Sequence, residues 1–208
     1  MTLLSRFAHN PGKPHWNAAR HVLAYIKGTM SHSITYKADS DLTPIGYVDS
    51  DFTGCKDTRW STEGNIFIVA GGPISWESKR QETVTLSMVE AEYMGFSRVT
   101  TQALWISKYL SEIGLPMSKP ITIFADNNGS ISHSLNNKNH CRTKHIDVQH
   151  HFVKDQVKLG NINFQYIPSA NNIADLFTKP LPREKIHQFT EKLCLYHNTT
   201  DIPDQGEC

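Results

Sequence analysis

The chain has 208 residues, of which 38% are hydrophobic and 20% charged, and its formal net charge is +1. This length allows one ordinary domain with some flanking chain, and no apolar run is long enough to span a bilayer, so a membrane role is excluded. The near-neutral charge does not by itself indicate a nucleic-acid partner, which normally requires a strongly basic surface.

The first 80 residues are predicted to form a helix, an alternating strand and an antiparallel meander. The helix has apolar residues at helical spacing and stops at Gly28, and turn-forming segments separate the strand-like runs. The predicted bounds are His15–Lys27 for the helix, His32–Lys37 for the first strand, and Gly46–Phe52, Gly64–Ala70 and Pro73–Glu77 for the meander.

After the meander, helices alternate with strands, which indicates crossover connections. The predicted elements are a long helix over Ser87–Ile113, a strand and turn over Ile121–Gly129, a short helix or loop over 130–137, a helix over Arg142–Gly160, a strand over 162–168, a short helix over 171–182 and a last helix over Arg183–Cys194. This order predicts an α/β fold whose mixed sheet has helices on both faces.

Four carboxylates stand where such a fold brings strand ends and helix starts together. Asp49 lies in the first meander strand, and Glu90 lies in the first turn of the long helix. Asp126 stands at the carboxyl end of the strand that follows this helix, and Asp175 lies on the short helix over 171–182. Ligands bind in the crevice at these strand ends, and carboxylates gathered there repel one another. Hard divalent cations, Mg²⁺ above all, are their natural counter-charge, and a pair of such ions supports phosphodiester cleavage.

Each acid taken alone also has a purely structural explanation. Glu90 completes a capping box with Ser87, Asp126 fits a turn or cap, and Asp175 complements a helix dipole. Asp49 is harder to explain in this way, because aspartate is depleted in strands. The metal hypothesis therefore depends on the four acids as a set.

The cysteines and histidines do not have the spacing of a zinc site. The four cysteines are scattered without a CxxC pair, which argues against a disulfide scaffold or thiolate zinc. Within the cluster of histidines over 140–151, His145 and His150 are five positions apart and do not share a helix face. Surface or structural histidines are therefore favoured.

Five segments between residues 45 and 182 match one family in its own order. They are "GYVDSDFTGCKDTRWSTEG", "ISWESKRQETVTLSMVEAEY", "FADNNGSI", "RTKHIDVQHHFV" and "YIPSANNIADLFTKPLP". Several long motifs in register are more specific than a single short pattern. On these segments the chain resembles the ribonuclease H domain of Copia-type LTR retrotransposon polyproteins, and the upstream "FAHNPGKPHWNAARHVLAYIKGT" is similar to the segment that joins reverse transcriptase to that domain.

The resemblance implies a ribonuclease H-like fold with a five-stranded mixed sheet, and Mg²⁺-dependent endonucleolytic cleavage of the RNA strand in RNA/DNA hybrids. It places the family's acids on Asp49, Glu90, Asp126 and Asp175, with Asp49 bridging two ions, Glu90 and Asp126 holding one, and Asp175 the other. Mn²⁺ is a possible substitute. The "EAEY" motif favours Glu90 over Glu92, and the two side chains diverge by roughly 200° on a helix, so only one can reach the site.

The expected partners are an RNA/DNA hybrid and, in a longer polyprotein, the parent reverse transcriptase region. The expected location is inside the cell, in the cytoplasm, in a virus-like particle or in the nucleus. Basic side chains can meet phosphates and neutral donors can reach sugars, although solvated surface explains the same residues equally well. The candidate hybrid contacts are Arg59, Trp60, Ser78, Lys79, Arg80 and Gln81, with His145 at the substrate edge.

Three domains follow from this interpretation: a connection remnant over 1–40, a ribonuclease H-like domain over 41–182, and a C-terminal helix with a polar tail over 183–208. Two other functions stay open at this point. One is a decayed or co-opted retroelement fragment that binds nucleic acid without cleaving it. The other is a different nuclease or transposase of the same fold that uses the same acids on DNA.

Overall fold

A computed structural model describes residues 2–5, 7–38, 40–51, 60–81, 88–115, 118–135 and 144–197. None of the helices in these ranges is long and apolar enough to cross a lipid bilayer. The helices and strands are α1 Thr2–Ser5, α2 Lys13–Gly28, β1 His32–Ile34, β2 Ile45–Asp51, β3 Thr62–Val69, β4 Gly72–Arg80, α3 Met88–Glu112, β5 Ile121–Ala125, α4 Asn128–Leu135, α5 Lys144–Lys158, β6 Ile162–Tyr166, α6 Arg183–Lys192 and β7 Leu195–His197.

A small unit contains α1, α2, β1 and β7. Strand β1 pairs antiparallel with β7, with His32 opposite His197. At the start of α2 the backbone N–H of Gly12 donates to Nδ1 of His15 over 2.9 Å, which satisfies one terminal donor of the chain entering the helix. The sequence predicted α2, but the three residues of β7 carry too short a pattern to be separated from a polar tail.

The larger unit is built on a five-stranded sheet with the order β4-β3-β2-β5-β6. Strands β2, β3 and β4 form an antiparallel meander, whereas β2 with β5 and β5 with β6 are parallel pairs. The parallel pairs need crossovers, which α3 and the α4–α5 segment provide. The predicted fold class, a ribonuclease H-like α/β fold with a five-stranded mixed sheet, is confirmed.

The main core lies between one face of this sheet and helices α3 and α5. Successive strand residues alternate between faces, so Val48, Phe67 and Ile123 point to this side. The ring of Phe96 on α3 stacks on Phe164 of β6 with centroids 4.5 Å apart. Apolar burial of this kind, at about 1.5–3 kcal/mol for each large side chain, fixes α3 against β2.

The opposite face of the sheet carries two 3-10 turns, Ser169–Asn171 and Ile173–Phe177, where the sequence predicted one short helix over 171–182. The turns approach β3 closely because residue 64 is glycine. A Cβ added to Gly64 would lie 2.7 Å from Cβ of Phe177 and 2.9 Å from Cγ2 of Thr178. Such contacts are shorter than real side chains tolerate, so the missing side chain is what lets this turn lie on the sheet.

The larger unit runs from Tyr36 to Cys194, whereas the sequence placed the domain limits at 41 and 182. At its start, the hydroxyl of Tyr36 donates to the carbonyl of Pro73 over 2.8 Å. At its end, helix α6 buries Phe189 completely and is followed by the buried Leu193. The difference has a simple cause, because a sequence boundary drawn at Pro180 and Pro182 does not reveal that the next helix returns to the same unit.

Candidate metal centre

Three aspartates meet at the carboxyl ends of the central strands. Asp49 lies in β2, Asp126 follows β5 directly, and Asp175 lies in the second 3-10 turn. One carboxylate oxygen from each lies within 4.8 Å of those of the other two. Strands β2 and β5 are parallel neighbours, so their carboxyl ends point the same way and bring the first two acids together.

Asn172 fixes the turn that carries Asp175. Its amide is fully buried and donates to the carbonyl of Val48 over 3.0 Å, while its side-chain oxygen accepts from the backbone N–H of Ala174 over 3.2 Å. One side chain thus caps the turn and ties it to β2 at the residue before Asp49. The sequence analysis did not identify this residue, because a single asparagine in "SANN" gives no sign of a partner more than a hundred positions away.

A fourth acid, Glu92, lies beside the three aspartates. Its side chain is 6% exposed and lines the same open cavity as Asp49 and Asp126. Burial first, and then the charges of Asp49 and Asp126, raise the pKa of Glu92 to about 8, although a hydrogen bond from Asn127 and the charge of Lys179 act the other way. Helix α3 reaches this position because Gly95 leaves room for Ser50, whose Oγ would lie 2.7 Å from an added Cβ.

The "EAEY" motif favours Glu90, whose side chain lies outside the described residues. The signal that identifies Glu92 is nevertheless in the sequence. Glu92 stands in phase with the buried stripe of α3, four residues before Phe96, and the other members of that stripe are Val99, Ala103, Ile106 and Leu110. Motif similarity decided the choice, whereas the helical phase of the core points to the second glutamate.

Two lysines and a threonine hold one side of the cluster. Nζ of Lys179 lies 2.8 Å from Oδ1 of Asp175 and 3.7 Å from Oδ2 of Asp49, and Nζ of Lys185 lies 2.8 Å from Oδ2 of Asp175. The hydroxyl of Thr178 donates to Oδ2 of Asp49. Both oxygens of the Asp175 carboxylate are therefore paired with an ammonium group.

These contacts account for the direction of two pKa shifts. Burial raises the pKa of Asp49, and the charges of Asp126 and Asp175 add to this, although the Thr178 hydroxyl and the Lys179 charge act the other way. Desolvation lowers the pKa of Lys179, but its hydrogen bond with Asp175 and the charges of the aspartates outweigh this, so its pKa is raised. The cluster therefore disfavours full ionisation of its own acids in the absence of added positive charge.

The donor set fits a hard divalent cation. All four acids offer carboxylate oxygens, which Mg²⁺ prefers, and the cavity that Asp49, Glu92 and Asp126 line is open to solvent. Within the described part of the chain, no ion pair joins Glu92 or Asp126 to a lysine or arginine. The lysines compensate the Asp175 side of the cluster, so the Asp126 and Glu92 side is where positive charge is missing.

The predicted hybrid contacts lie on or near β4, and they differ in exposure. Arg80 is exposed, and its guanidinium carbon lies 4.5 Å from the ring centroid of Trp60. Lys79 is partly buried, and Oγ of the exposed Ser78 donates to the carbonyl of Phe177 over 2.6 Å. Arg59 and the side chain of His145 lie outside the described residues.

Gln81 corrects the sequence interpretation. It is 1% exposed, and its Nε2 donates to the carbonyl of Ala91 over 2.7 Å, so its side chain supports α3 and is not available to a bound nucleic acid. A polar residue at the end of a basic segment was taken for surface. The alternation of β4 does not extend to it, because Gln81 lies one residue beyond the strand.

Comparison with known proteins gives the family. No protein-family model matches the chain. The chain is 37% identical over 196 residues to the retrovirus-related Pol polyprotein from transposon TNT 1-94 of Nicotiana tabacum, covering 94% of this chain and 15% of that protein. It is also 37% identical over 190 residues to the corresponding polyprotein from transposon RE2 of Arabidopsis thaliana, covering 91% of this chain and 13% of that protein.

Among solved structures, LC11-RNase H1, isolated from compost by a metagenomic approach, is similar with a TM-score of 0.49 and 14% identity, over 71% of this chain and 97% of that one. The chain thus spans less than a sixth of the length of the two polyproteins, and the match reaches nearly its whole described extent. The predicted resemblance to a retrotransposon Pol polyprotein is confirmed. This chain belongs to the family of retrovirus-related Pol polyproteins of transposons.

Proposed function

We propose that this chain is a ribonuclease H, an endonuclease that uses Mg²⁺ to cleave the RNA strand of RNA/DNA hybrids. The observation that carries the proposal is the convergence of Asp49, Asp126 and Asp175 beside an open cavity that Asp49, Asp126 and Glu92 line. Among the described residues, no lysine or arginine forms an ion pair with Asp126 or Glu92. A structural role alone does not explain the buried acids, since uncompensated buried carboxylates cost several kcal/mol each. Membership in the transposon Pol family supports the same activity.

The proposal includes two ion positions, as the resemblance implies, and the arrangement of the acids supports them. Asp49, Glu92 and Asp126 would hold one ion, and Asp49 with Asp175 the other, with Mn²⁺ as a possible substitute. Glu92 takes the place that the sequence gave to Glu90, because only one of two side chains so far apart around a helix can face the site. When bound, such a pair of ions lowers the pKa of a water and stabilises charge on the reacting phosphate.

Neighbouring side chains hold the acids in position for ion binding. The Thr178 hydroxyl holds one oxygen of Asp49, and Asn172 holds the turn that carries Asp175. Asn127 donates to Glu92 and so favours its ionised form. Each of these contacts keeps a carboxylate at the cavity without adding a positive charge there.

The hybrid is proposed to lie across the cavity and the β4 edge, with Arg80 stacked on Trp60 as one phosphate or sugar contact and Ser78 and Lys79 beside it. In a longer polyprotein the region that precedes this chain is the second proposed partner. The compartment within the cell stays a prediction from the resemblance.

The test is cleavage of a hybrid with labelled RNA by the purified chain in Mg²⁺, next to Asp49→Asn. We expect cleavage by the wild type only, with ends bearing 5′-phosphate and 3′-hydroxyl groups. Equal cleavage by both proteins, or none by either in the presence of Mg²⁺, would contradict the proposal. In the second case, retained hybrid binding would identify a non-catalytic binding module.

Duplex DNA and duplex RNA serve as comparison substrates in the same assay. The proposed ribonuclease H cleaves neither at a rate comparable with the hybrid, because it reads the shape and 2′-hydroxyls of one strand. Preferential cleavage of duplex DNA would instead favour a nuclease or transposase that uses the same acids.

A further inference from the structure

Lys179 occupies the part of the cluster that lies between two of the proposed ligands. Its Nζ lies 2.8 Å from Oδ1 of Asp175 and 3.7 Å from Oδ2 of Asp49. Lys179 also lines the open cavity, together with Asp49, Glu92 and Asp126. Its ammonium therefore stands on the Asp49–Asp175 side, one of the two positions that an ion would take.

The two sides of the cluster differ in this respect. Among the ion pairs of the described residues, both lysine contacts fall on Asp175 and one extends to Asp49. The charges that act on Glu92 are mainly those of Asp49 and Asp126, with Lys179 a weaker influence. The Asp175 side thus holds a cation that the protein supplies, whereas no ion pair among the described residues reaches Asp126 or Glu92.

We propose that Lys179 is a built-in competitor for the ion held by Asp49 and Asp175, so that the two ions bind in order. This inference rests on the proposed function. The first ion enters between Asp49, Glu92 and Asp126, because no lysine or arginine among the described residues forms an ion pair with Glu92 or Asp126. The second enters only when it displaces the ammonium of Lys179, since an ammonium and a divalent cation repel each other and cannot share the same two oxygens.

The local chain allows this displacement. The side chain of Lys179 is 36% exposed, and it reaches Asp175 from four residues further along the chain, just before Pro180. Its flexible four-carbon stem can turn into solvent while the backbone of the turn stays held by Asn172 and the contact with Gly64. Displacement therefore need not unfold the turn that carries Asp175.

Lys185 provides the matched control. It pairs with the other oxygen of Asp175 at the same distance, 2.8 Å, but it comes from α6 and is not part of the cavity lining. Its loss removes the same charge at nearly the same distance from the cluster without clearing an ion position. If only the positive charge matters, removing either lysine should strengthen binding of the second ion to the same extent. If the ammonium competes for the ion position, only removal of Lys179 should have the full effect.

The test is Mn²⁺ titration of the full chain, followed by electron paramagnetic resonance, with Mg²⁺ calorimetry as a second readout. In the wild type we expect a mononuclear Mn²⁺ signal first and a coupled dinuclear signal at higher concentration. In Lys179→Gln the dinuclear signal should appear at lower concentration, with the second dissociation constant reduced about three- to tenfold, the effect of losing one charge contact in a partly solvated site.

Three further variants complete the test. Lys179→Met should behave as Lys179→Gln, so that the result does not depend on the folding of one protein. Lys179→Arg keeps the positive charge and should keep the weak second ion, and Lys185→Gln should change the second constant less than Lys179→Gln. Equal second-ion constants in wild type and Lys179→Gln, or an equal reduction in Lys185→Gln, would overturn the inference.

A different result would overturn the proposed function as well. If the wild type and all variants bind no divalent ion at the acids, the cluster is not a metal centre, and the question of competition disappears with it. If one or two ions bind but the lysine variants do not differ, only the role of Lys179 is wrong. The two failures are therefore distinguishable in the same titration.

Discussion

Two groups of acids lie at different places on the same sheet, and they are compensated in different ways. Between the sheet and α3, Arg98 bridges Glu63 and Glu77, with Nη1 3.0 Å from Glu63 and Nε 2.7 Å from Glu77. At the carboxyl ends of β2 and β5, Asp49, Asp126, Asp175 and Glu92 share two lysines, which both bind Asp175. One guanidinium pairs with both acids of the first group, whereas no ion pair among the described residues reaches Asp126 or Glu92 in the second.

The difference teaches which buried carboxylates are structural and which call for a ligand. Burial raises the pKa of Glu63, and the charge of Arg98 and a hydrogen bond from Gln81 oppose this shift. Burial likewise raises the pKa of Glu92, but the largest charges near it are other carboxylates. Buried acids whose neighbours are also acids, beside an open cavity, are the ones expected to bind a cation.

The largest expected effect separates the groups by activity. We expect Asp126→Asn to reduce hybrid cleavage at least about a thousandfold, because it removes one of the proposed ligands from the reacting site. Glu77→Gln should leave the rate within about twofold, since this residue belongs to the Arg98 network and not to the proposed metal centre. Cleavage rates at saturating Mg²⁺ measure both, and similar losses in the two variants would contradict the comparison.

The reverse experiment separates the groups by stability. Arg98→Ala should lower the free energy of unfolding by about 2 kcal/mol, because Glu63 is left buried without its cation, an effect limited by the partial exposure of Arg98. The loss should shrink at low pH, since the pKa of Glu63 rises further without Arg98 and the protonated acid needs no partner. Urea denaturation at pH 5 and pH 8 measures both values.

In contrast, Asp49→Asn should not lower stability in the absence of divalent ions, because it removes a charge from a cluster with excess negative charge. The same denaturation experiment serves as the matched control for Arg98→Ala. A greater loss of stability in Asp49→Asn than in Arg98→Ala would show that the aspartate cluster is a structural network. The distinction between this cluster and the Arg98 network would then be lost.

A steric change tests whether close approach of the turn to β3 builds the site. Gly64→Ala should cost about 1–3 kcal/mol and weaken Mg²⁺ binding, because its Cβ would press on Phe177 and Thr178 and shift the turn that carries Asp175. Gly28→Ala is the control, since nothing lies within 4 Å of an added Cβ there. Calorimetry and thermal unfolding measure the two effects, and unchanged metal affinity in Gly64→Ala would count against this account of the site.

The pKa of Glu92 gives the most gradual effect, because it is spread over several pH units. The pKa of Glu92 is raised to about 8 in the folded chain, so folding is accompanied by proton uptake at Glu92 between its ordinary pKa and about pH 8. The free energy of unfolding therefore falls as the pH rises through that window. The slope is at most about 1.4 kcal/mol per pH unit, and Glu92→Gln should remove it. Mg²⁺ affinity should rise over the same window, as the carboxylate becomes ionised. A stability slope unchanged in Glu92→Gln would contradict the assignment.

The sequence was sufficient for the sheet because its signals are local and strong. Alternation in the meander, the apolar stripe of α3 and the turn residues between elements predicted the five strands of the sheet, the antiparallel meander and the crossovers that follow it. The convergence of Asp49, Asp126 and Asp175 followed as well, since the carboxyl ends of neighbouring parallel strands meet at one edge. These inferences need only periodicity and topology.

What the sequence could not supply depends on contacts between distant residues. The bond from Asn172 to Val48, the fit of Phe177 on Gly64 and the pairing of Lys185 with Asp175 leave no local pattern. Gln81 was taken for surface because its burial is decided by α3 and not by its neighbours in the chain. Glu92 is an exception, because its position in the sequence is in phase with the apolar stripe of α3 and needs no distant contact to be recognised.

The most direct test of the central claim is an anomalous diffraction measurement on crystals of the chain soaked in Mn²⁺. The account predicts a peak in contact with carboxylate oxygens of Asp49 and Asp126, at about 2.1 Å as for Mg²⁺, with Glu92 on the same ion. A second peak between Asp49 and Asp175 should appear at higher concentration, with Lys179 turned away. Ordered Mn²⁺ elsewhere on the protein, with none at these acids, would contradict the claim that the cluster is a metal centre.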